Sequence, residues 1–146
     1  MTHLIRRYKN EDIIAILIIW EKASQLAHSF LPKKFMDQER DNLPNLYIPA
    51  AETWVAEVEG KVVGFIALIG NEVGGLFVDP SIHSHGIGRS LMDKAKKIHG
   101  DLVVEVFEKN TIGRAFYDRY GFTQKSRYLH EESGCVMLKL TYAQEV

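Results

Sequence analysis

The residues best suited to chemistry in this chain begin with two glycines, Gly86 and Gly88, just before an amphipathic stretch. They follow a short apolar run, Leu76 to Val78, that ends at Asp79-Pro80. Glycine lets a backbone approach a ligand closely, and the first amides of a helix are unpaired and carry a partial positive charge. This order of strand, glycine loop and helix start predicts a site for a phosphate-bearing cofactor.

The residues that follow Gly88 limit which kinds of phosphate ligand this loop could bind. The phosphate-binding loop of nucleotide hydrolases needs Lys and then Ser or Thr after its last glycine, whereas Gly88 is followed by Arg89 and Ser90. The dinucleotide fingerprint needs a third Gly or Ala three residues after the second glycine, and this position is Leu91. Both patterns fail, which disfavours a generic nucleotide-binding α/β protein and leaves x-x-x-Gly-x-Gly from His83 onward.

A second stretch, Asn110 to Phe122, reads Asn-x-x-Gly-x-x-x-Tyr-x-x-x-Gly-Phe. Together the two stretches resemble the motifs of the GNAT superfamily of N-acetyltransferases, Gln/Arg-x-x-Gly-x-Gly/Ala and, downstream, Asn-x-x-Ala-x-x-x-Tyr-x-x-x-Gly-Phe. The chain departs from these motifs at His83, which replaces Gln or Arg, and at Gly113, which replaces Ala. The two motifs together, in the right order and at the right distance, are far more specific than either alone.

The resemblance implies that the phosphate ligand is acetyl-CoA, the acetyl donor. It implies that amides of the glycine loop hold the pyrophosphate, and that the preceding strand pairs with the pantetheine as if with another strand. The N–H of Phe77 or Val78 would polarise the thioester carbonyl. Asn110 would approach the cofactor arm, although as a helix N-cap it has a sufficient structural role. The residues assigned to the cofactor are Leu76, Phe77, Val78, Ser84, His85, Gly86, Ile87, Gly88, Arg89 and Asn110.

Acetyl transfer needs a proton donor for the departing thiolate and a base for the acceptor amine. Tyr117 falls on the family's tyrosine and is the predicted general acid; the alternative is an aromatic stripe with Phe116 and Tyr120. Glu105 interrupts the apolar run Leu102–Phe107, and an acid within a buried strand needs a partner or a purpose. Its spacing to Tyr117 is similar to that of the Glu and Tyr pair in ribosomal-protein alanine N-acetyltransferases, where the Glu is the base. Glu105 is therefore the predicted base, with an ion pair to Arg114, Lys109 or another cation as the alternative.

Other ionisable residues receive smaller roles. Glu72, His28 and Glu108 are weaker candidates for the base. His83 and His85 are two residues apart, but no Cys or carboxylate follows at the spacing of a metal site, so the sequence predicts no metal. We expect these two imidazoles to flank the phosphate loop, where a protonated ring favours an anion.

Composition predicts one ordinary globular domain over residues 1–146. The chain is 46% hydrophobic and 25% charged, which suffices for a core. A formal net charge of −1 without a run of like charge points to neither nucleic acid nor an anionic membrane. Cys135 is the only cysteine, which suits a reducing compartment. The N-terminal residues have no apolar core of the signal-peptide type, and the most apolar run, Ile13 to Trp20, is too short to span a bilayer. The predicted location is the cytoplasm.

Apolar periodicity and turn signals predict the elements that position these residues. Before the glycine loop they are a strand over 4–8, helices over about 12–23 and 33–42, a hairpin of strands over 53–58 and 61–69, and the motif strand. After it they are the amphipathic helix, a buried strand over 102–107, a helix over 111–120, and strands over 123–128 and 135–140. Pro44 and Pro49 are expected to bracket an exposed turn or loop.

This order predicts an α/β (α+β) domain in which a mixed sheet carries helices on both faces. The resemblance implies a GNAT-like three-layer domain. Its central sheet would be mostly antiparallel, and the two motif strands would splay apart into a V-shaped cleft for the cofactor.

The sequence therefore predicts an acetyl-CoA-dependent N-acetyltransferase that acts on a primary amine by direct transfer in a ternary complex. The sequence does not decide whether the acceptor is a protein or peptide amine or a small molecule. It also does not decide whether the protein is a monomer or a homodimer. The alternative is a non-catalytic acyl-CoA-binding or regulatory module on the same fold, against which Tyr117 and Glu105 argue.

Overall fold

A seven-stranded mixed sheet with the order β1-β2-β3-β4-β5-β7-β6 forms the centre of the computed structural model, which describes residues 2–83 and 85–144. The strands are β1 Leu4–Arg7, β2 Glu52–Val58, β3 Lys61–Ile69, β4 Glu72–Val78, β5 Leu102–Phe107, β6 Thr123–His130 and β7 Cys135–Tyr142. The helices are α1 Ile13–Ala27, α2 Lys33–Asn42, the single turn α3 Ile48–Ala50, α4 Ile87–His99 and α5 Thr111–Tyr120. The predicted order of elements and the α/β fold class are confirmed.

The two faces of the sheet are covered by different helices. On one face, α1 packs Ile16 and Ile19 against Val55 and Phe65. On the opposite face, α4 buries a stripe at helical spacing, as an amphipathic helix must, formed by Ile87, Leu91, Met92 and Ala95. Within the described residues, no helix is both long and apolar enough to cross a bilayer.

Strands β4 and β5 are parallel neighbours that pair over only two positions. Only Glu72 with Val103 and Val73 with Val104 are paired. Beyond them β4 runs on to Val78 beside β3, and β5 runs on to Phe107 beside β7. The strands therefore diverge, and the predicted V-shaped cleft is confirmed.

The segment between α2 and β2 differs from the prediction. Residues 45–47 are exposed as predicted, but Leu43–Tyr47 form a π-helical turn that continues into α3. Pro44 and Pro49 are each the second residue of their segment, and the residues before both segments, Asn42 and Tyr47, are already helical. Leu43 and Ile48 are buried against α1, so the segment closes the core on that face.

A half-buried ion network fixes the start of α1 to the first two strands. Asp12 is 5% exposed, and its carboxylate accepts two hydrogen bonds from the Arg6 guanidinium, each of 2.9 Å, and one of 2.8 Å from the Lys9 N–H. Arg6 also donates to Glu57 on β2. The Arg6 hydrogen bonds, opposed by burial and assisted by the Lys9 N–H, lower the pKa of Asp12.

Asp12→Asn is expected to lower the free energy of unfolding by about 2 kcal/mol at neutral pH, because a charged hydrogen-bond acceptor is lost. Because the pKa of Asp12 is depressed on folding, this stabilisation is complete above the unfolded value of about 3.9 and disappears as pH falls through the lower folded value. Urea unfolding across the acid range measures both effects. Asp37→Asn is the control, since it removes an exposed ion pair with Lys33 and should change stability by less than about 1 kcal/mol. Equal losses in the two variants would contradict the assignment.

Candidate active site

The gap between β4 and β5 has main-chain groups along its β4 edge. In an antiparallel pair, alternate residues bond across to the neighbour, and the Asp79 N–H donates to the Val63 carbonyl of β3 at 2.8 Å. The same alternation directs the N–H and C=O of Phe77 toward β3, and those of Leu76 and Val78 into the gap. Of the two predicted donors for the thioester carbonyl, Phe77 is therefore wrong, and Val78 faces the cleft.

The β5 edge of the gap also has main-chain groups that face the gap. The Val103 N–H donates to the Asn71 carbonyl at 3.0 Å where β5 begins, and the Glu108 N–H donates to Val136 on β7 at 2.9 Å. Alternation between these two points directs the main chain of Glu105 toward β4, where its N–H belongs to the short parallel pairing with Val73 and its carbonyl faces the gap. Both edges thus offer strand-like donors and acceptors, so an extended ligand with amide groups can bind there as an added strand.

At the open end of the gap, the glycine loop leads into α4. Gly86 is the N-cap, with φ of 78°. The Ser90 N–H donates to the Gly86 carbonyl at 3.0 Å, so the N–H groups of Ile87, Gly88 and Arg89 precede the first bond of this kind in the helix. These amides form an anion site with the helix dipole behind them.

Side chains hold this end of α4 in place. Ile87 is buried in the core, and a Cβ on Gly88 would lie 3.2 Å from the Phe116 ring, so α4 and α5 touch here. The Arg89 guanidinium lies 5.6 Å from the centre of the Tyr120 ring. His85 is exposed in the loop, and the predicted contact Ser84 lies outside the described residues.

His83 connects the loop to β4. Its Nε2 lies 3.1 Å from the Val78 carbonyl oxygen, and only a ring N–H can donate there. Within residues 2–83 and 85–144, no three His, Cys, Asp or Glu side chains gather as a metal site.

Asn110 caps α5, as predicted: its Oδ1 accepts from the Gly113 N–H at 2.8 Å. Its Nδ2 lies 3.3 Å from the Nε2 of His28, the residue that ends α1. The His28 ring packs edge-on against Phe30 and Phe107, and burial lowers its pKa to about 4. A neutral His28 accepts the Asn110 hydrogen bond, and a ring of such low basicity is a poor base.

Tyr117 lies in the core on the α4 face of the sheet. It is 7% exposed, and its ring packs edge-on between Phe116 and Phe122 at centroid distances of 5.5 and 5.4 Å. Burial raises the pKa of the phenol, so the hydroxyl stays protonated and remains a hydrogen-bond donor. Tyr117 is therefore part of the core packing, as the alternative has it, and its phenol also stays able to donate a proton.

Glu105 is exposed, so the expected acid within a buried strand is wrong. Val104 and Val106 face the α4-side core, and strand alternation turns Glu105 to the α1 face. Its carboxylate accepts a hydrogen bond from the Tyr128 hydroxyl, and Lys139 lies directly opposite on β7. The proposed ion pairs with Arg114 and Lys109 are absent among the described contacts.

The remaining base candidates are placed less well. Glu108 forms an ion pair with Arg127 at 2.7 Å, and Glu72 lies at the paired, closed end of the gap. Glu105 is the first β5 residue beyond the paired positions, so its side chain stands where the strands part. Sequence reasoning did not find Tyr128, because no local pattern relates a residue on β6 to one on β5.

Comparison with known proteins places this geometry in a family. Residues 49–124 match the model of the acetyltransferase (GNAT) domain. The peptidyl-lysine N-acetyltransferase YjaB of Salmonella typhimurium LT2 is 32% identical over 124 residues, which cover 84% of this chain and 85% of the relative. The solution structure of apo-form YjaB from Escherichia coli is 30% identical and superposes with a TM-score of 0.88 over 99% of this chain and 100% of that chain.

A structure with cofactor shows the same fold. The PaiA N-acetyltransferase of Thermoplasma acidophilum, solved in complex with coenzyme A, has a TM-score of 0.77 over 97% of this chain and 100% of that chain, at 18% identity. The family match spans both the glycine loop and the Asn110–Phe122 stretch. The chain thus belongs to the GNAT family of acetyltransferases and is an N-acetyltransferase that uses acetyl-CoA to acetylate an amine.

Proposed function

We propose that the acceptor is the side-chain amine of a lysine in a protein or peptide, which attacks acetyl-CoA directly in a ternary complex. The observation that carries direct transfer is the gap between β4 and β5, called the slot below, with Glu105 exposed on one face of the sheet and Tyr117 buried on the other. The lysine acceptor is supported by the name of the 32% identical relative, a peptidyl-lysine N-acetyltransferase. The reaction is placed in the cytoplasm, where the free thiol of Cys135 suits reducing conditions.

The acetyl donor, acetyl-CoA, is held at the open end of the slot and along its β4 edge. The amides of Ile87, Gly88 and Arg89 bind the pyrophosphate at the start of α4. The pantetheine amides pair with the main chain of β4, and the N–H of Val78 points toward the thioester oxygen as charge develops on it. These groups are fixed by the sheet, so little reorganisation is needed during the reaction.

The acceptor must arrive as an ammonium ion and react as an amine, since a lysine has an unperturbed pKa of about 10.4. Glu105 takes the first proton and releases it to water, because its carboxylate is exposed on the α1 face. The nitrogen then attacks the thioester carbon, and a C–N bond forms as the C–S bond breaks.

Tyr117, on the α4 face of the sheet, is the proton donor for the leaving thiolate. Its phenol donates to the sulfur, and it recovers a proton from the nitrogen as the amide forms, so the products are amide and free thiol. Because burial raises the pKa of Tyr117, the phenol is a weak acid, and it serves best as a hydrogen-bond donor that transfers its proton late.

Gly86→Ala is expected to weaken acetyl-CoA binding by about tenfold, because an L-residue strains the positive φ of the loop and shifts the helix-start amides. Calorimetry with acetyl-CoA measures this, with ATP and NADH as control ligands that should not bind the wild type. Gly134→Ala is the matched variant, since Gly134 has φ of 72° and open space around it, in the turn between β6 and β7 and outside the glycine loop. Similar weakening in both variants would refute the role of the loop.

Tyr117→Phe is expected to lower kcat by about 10²-fold with the Kd of acetyl-CoA unchanged, because only the donor to the sulfur is removed. Tyr120→Phe serves as control. Its hydroxyl bonds Asp93 at 2.7 Å on the surface, and its loss should leave kcat near the wild-type value. Detection of free thiol gives both rates, and full activity of Tyr117→Phe would remove the general-acid role.

The acceptor is tested with a lysine peptide whose N-terminus is blocked, beside free lysine and a polyamine. We expect acetyl transfer to the lysine side chain of the peptide, located by mass spectrometry, and a fall of about 10²-fold in kcat for Glu105→Gln. The matched variant Glu108→Gln removes a surface ion pair and should keep its activity. Transfer to the small amines alone would overturn the lysine-peptide proposal.

A further inference from the structure

We propose that Tyr128 is a positioning residue for the base: its hydroxyl holds Oε2 of Glu105 and leaves Oε1 to take the proton of the acceptor amine. The inference rests on the proposed role of Glu105. It assigns a role in the transfer to a residue of β6, outside both motif stretches.

Strand register places the two side chains on one face. Tyr128 lies opposite Met137 of β7, and Met137 lies opposite Phe107 of β5. Residues directly opposite in an antiparallel sheet share a face, as do residues two apart along a strand. Glu105, two residues before Phe107, therefore shares this face with Tyr128.

The phenol reaches across the intervening strand to meet the carboxylate. Two strand spacings separate β6 from β5 by about 10 Å, which a tyrosine and a glutamate span when they extend toward each other. The Tyr128 hydroxyl donates to Oε2 of Glu105. Burial, with help from this hydrogen bond, raises the pKa of Tyr128 to about 12, so the phenol remains a donor at neutral pH.

Without this bond, other interactions would compete for the carboxylate. Glu105 is exposed, and a free glutamate in water samples several rotamers. Lys139 lies directly opposite Glu105 on β7. An ion pair between Lys139 and Glu105 would move the carboxylate away from the slot, toward β7. The hydrogen bond from Tyr128 fixes one oxygen, and the other stays free to accept the amine proton beside the point where β4 and β5 part.

Tyr128→Phe keeps the ring and removes only the hydroxyl. We expect kcat with the lysine peptide to fall about tenfold, as for one lost hydrogen bond to a charged group, while KM for acetyl-CoA stays unchanged. Tyr47→Phe is the matched control, because Tyr47 also donates to a glutamate, Glu39 at 3.0 Å, in the segment after α2. Urea unfolding of each variant monitors the fold.

A second acceptor separates positioning from a structural role. A peptide with an aminooxy group in place of the lysine amine is neutral at the assay pH and needs no base. With this acceptor Tyr128→Phe should match the wild type, and with the lysine peptide the double variant with Glu105→Gln should be no slower than Glu105→Gln alone.

The outcomes distinguish the two proposals. If Glu105→Gln is fully active on the lysine peptide, the base assignment fails, and the inference fails with it. If Glu105→Gln is slow but Tyr128→Phe equals the wild type, only the role of Tyr128 is overturned. A loss in Tyr128→Phe that is equal for both acceptors is a structural effect and also overturns it.

Discussion

The early end of the β4–β5 pairing is the constraint on which the site depends. Strand β4 contains a bulge, since Ala67 pairs with Gly75 and Leu68 with Val73, which leaves Gly74 unmatched. A bulge bends its strand and increases the local twist. Next to it, a Cβ on Gly75 would lie 2.8 Å from the Phe77 ring, so glycine is needed there. Two consecutive glycines thus let β4 turn away from β5 while it stays bonded to β3.

The divergence also separates the two halves of the reaction. The main-chain groups of the slot lie in the plane of the sheet, while Glu105 lies on the α1 face and Tyr117 on the α4 face. In the proposed reaction, the amine that attacks one face of the planar thioester is deprotonated by Glu105, and the sulfur, which leaves from the plane of the thioester, receives its proton from Tyr117. Proton removal would then take place where water has access, and the thiolate would receive its proton on the side of the core. The burial that makes Tyr117 a permanent donor would prevent Glu105 from releasing its proton, so each residue suits its own face.

Local sequence patterns predicted the parts of this arrangement that have local causes. The Asn110 cap, the Gly121 helix end and the Glu59-Gly60 hairpin turn are each encoded within a few residues, and all three are confirmed. The glycine loop and helix α4 were likewise found where predicted.

The errors arose where register or tertiary packing decides. The N–H direction of Phe77 depends on strand pairing, and a shift by one residue reverses it. Glu105 was expected to be buried because its neighbours are apolar, but Val103 and Phe107 lie on a face that the helices cover only in part. Pro44 and Pro49 signalled a loop, although both lie in helical backbone that passes through a π-helical turn.

A sheet with an unfilled strand position has a thermodynamic consequence. In the proposed binding mode, main-chain groups at the edges of the slot, such as the N–H of Val78, would gain strand-like partners when acetyl-CoA binds, so ligand binding and folding would be linked. A ligand that binds only the native state stabilises it by about 2.7 kcal/mol at a concentration of 100 times its Kd. The thermal stability of this enzyme in the cell would then follow the supply of acetyl-CoA, and a starved cell would hold the protein closer to unfolding.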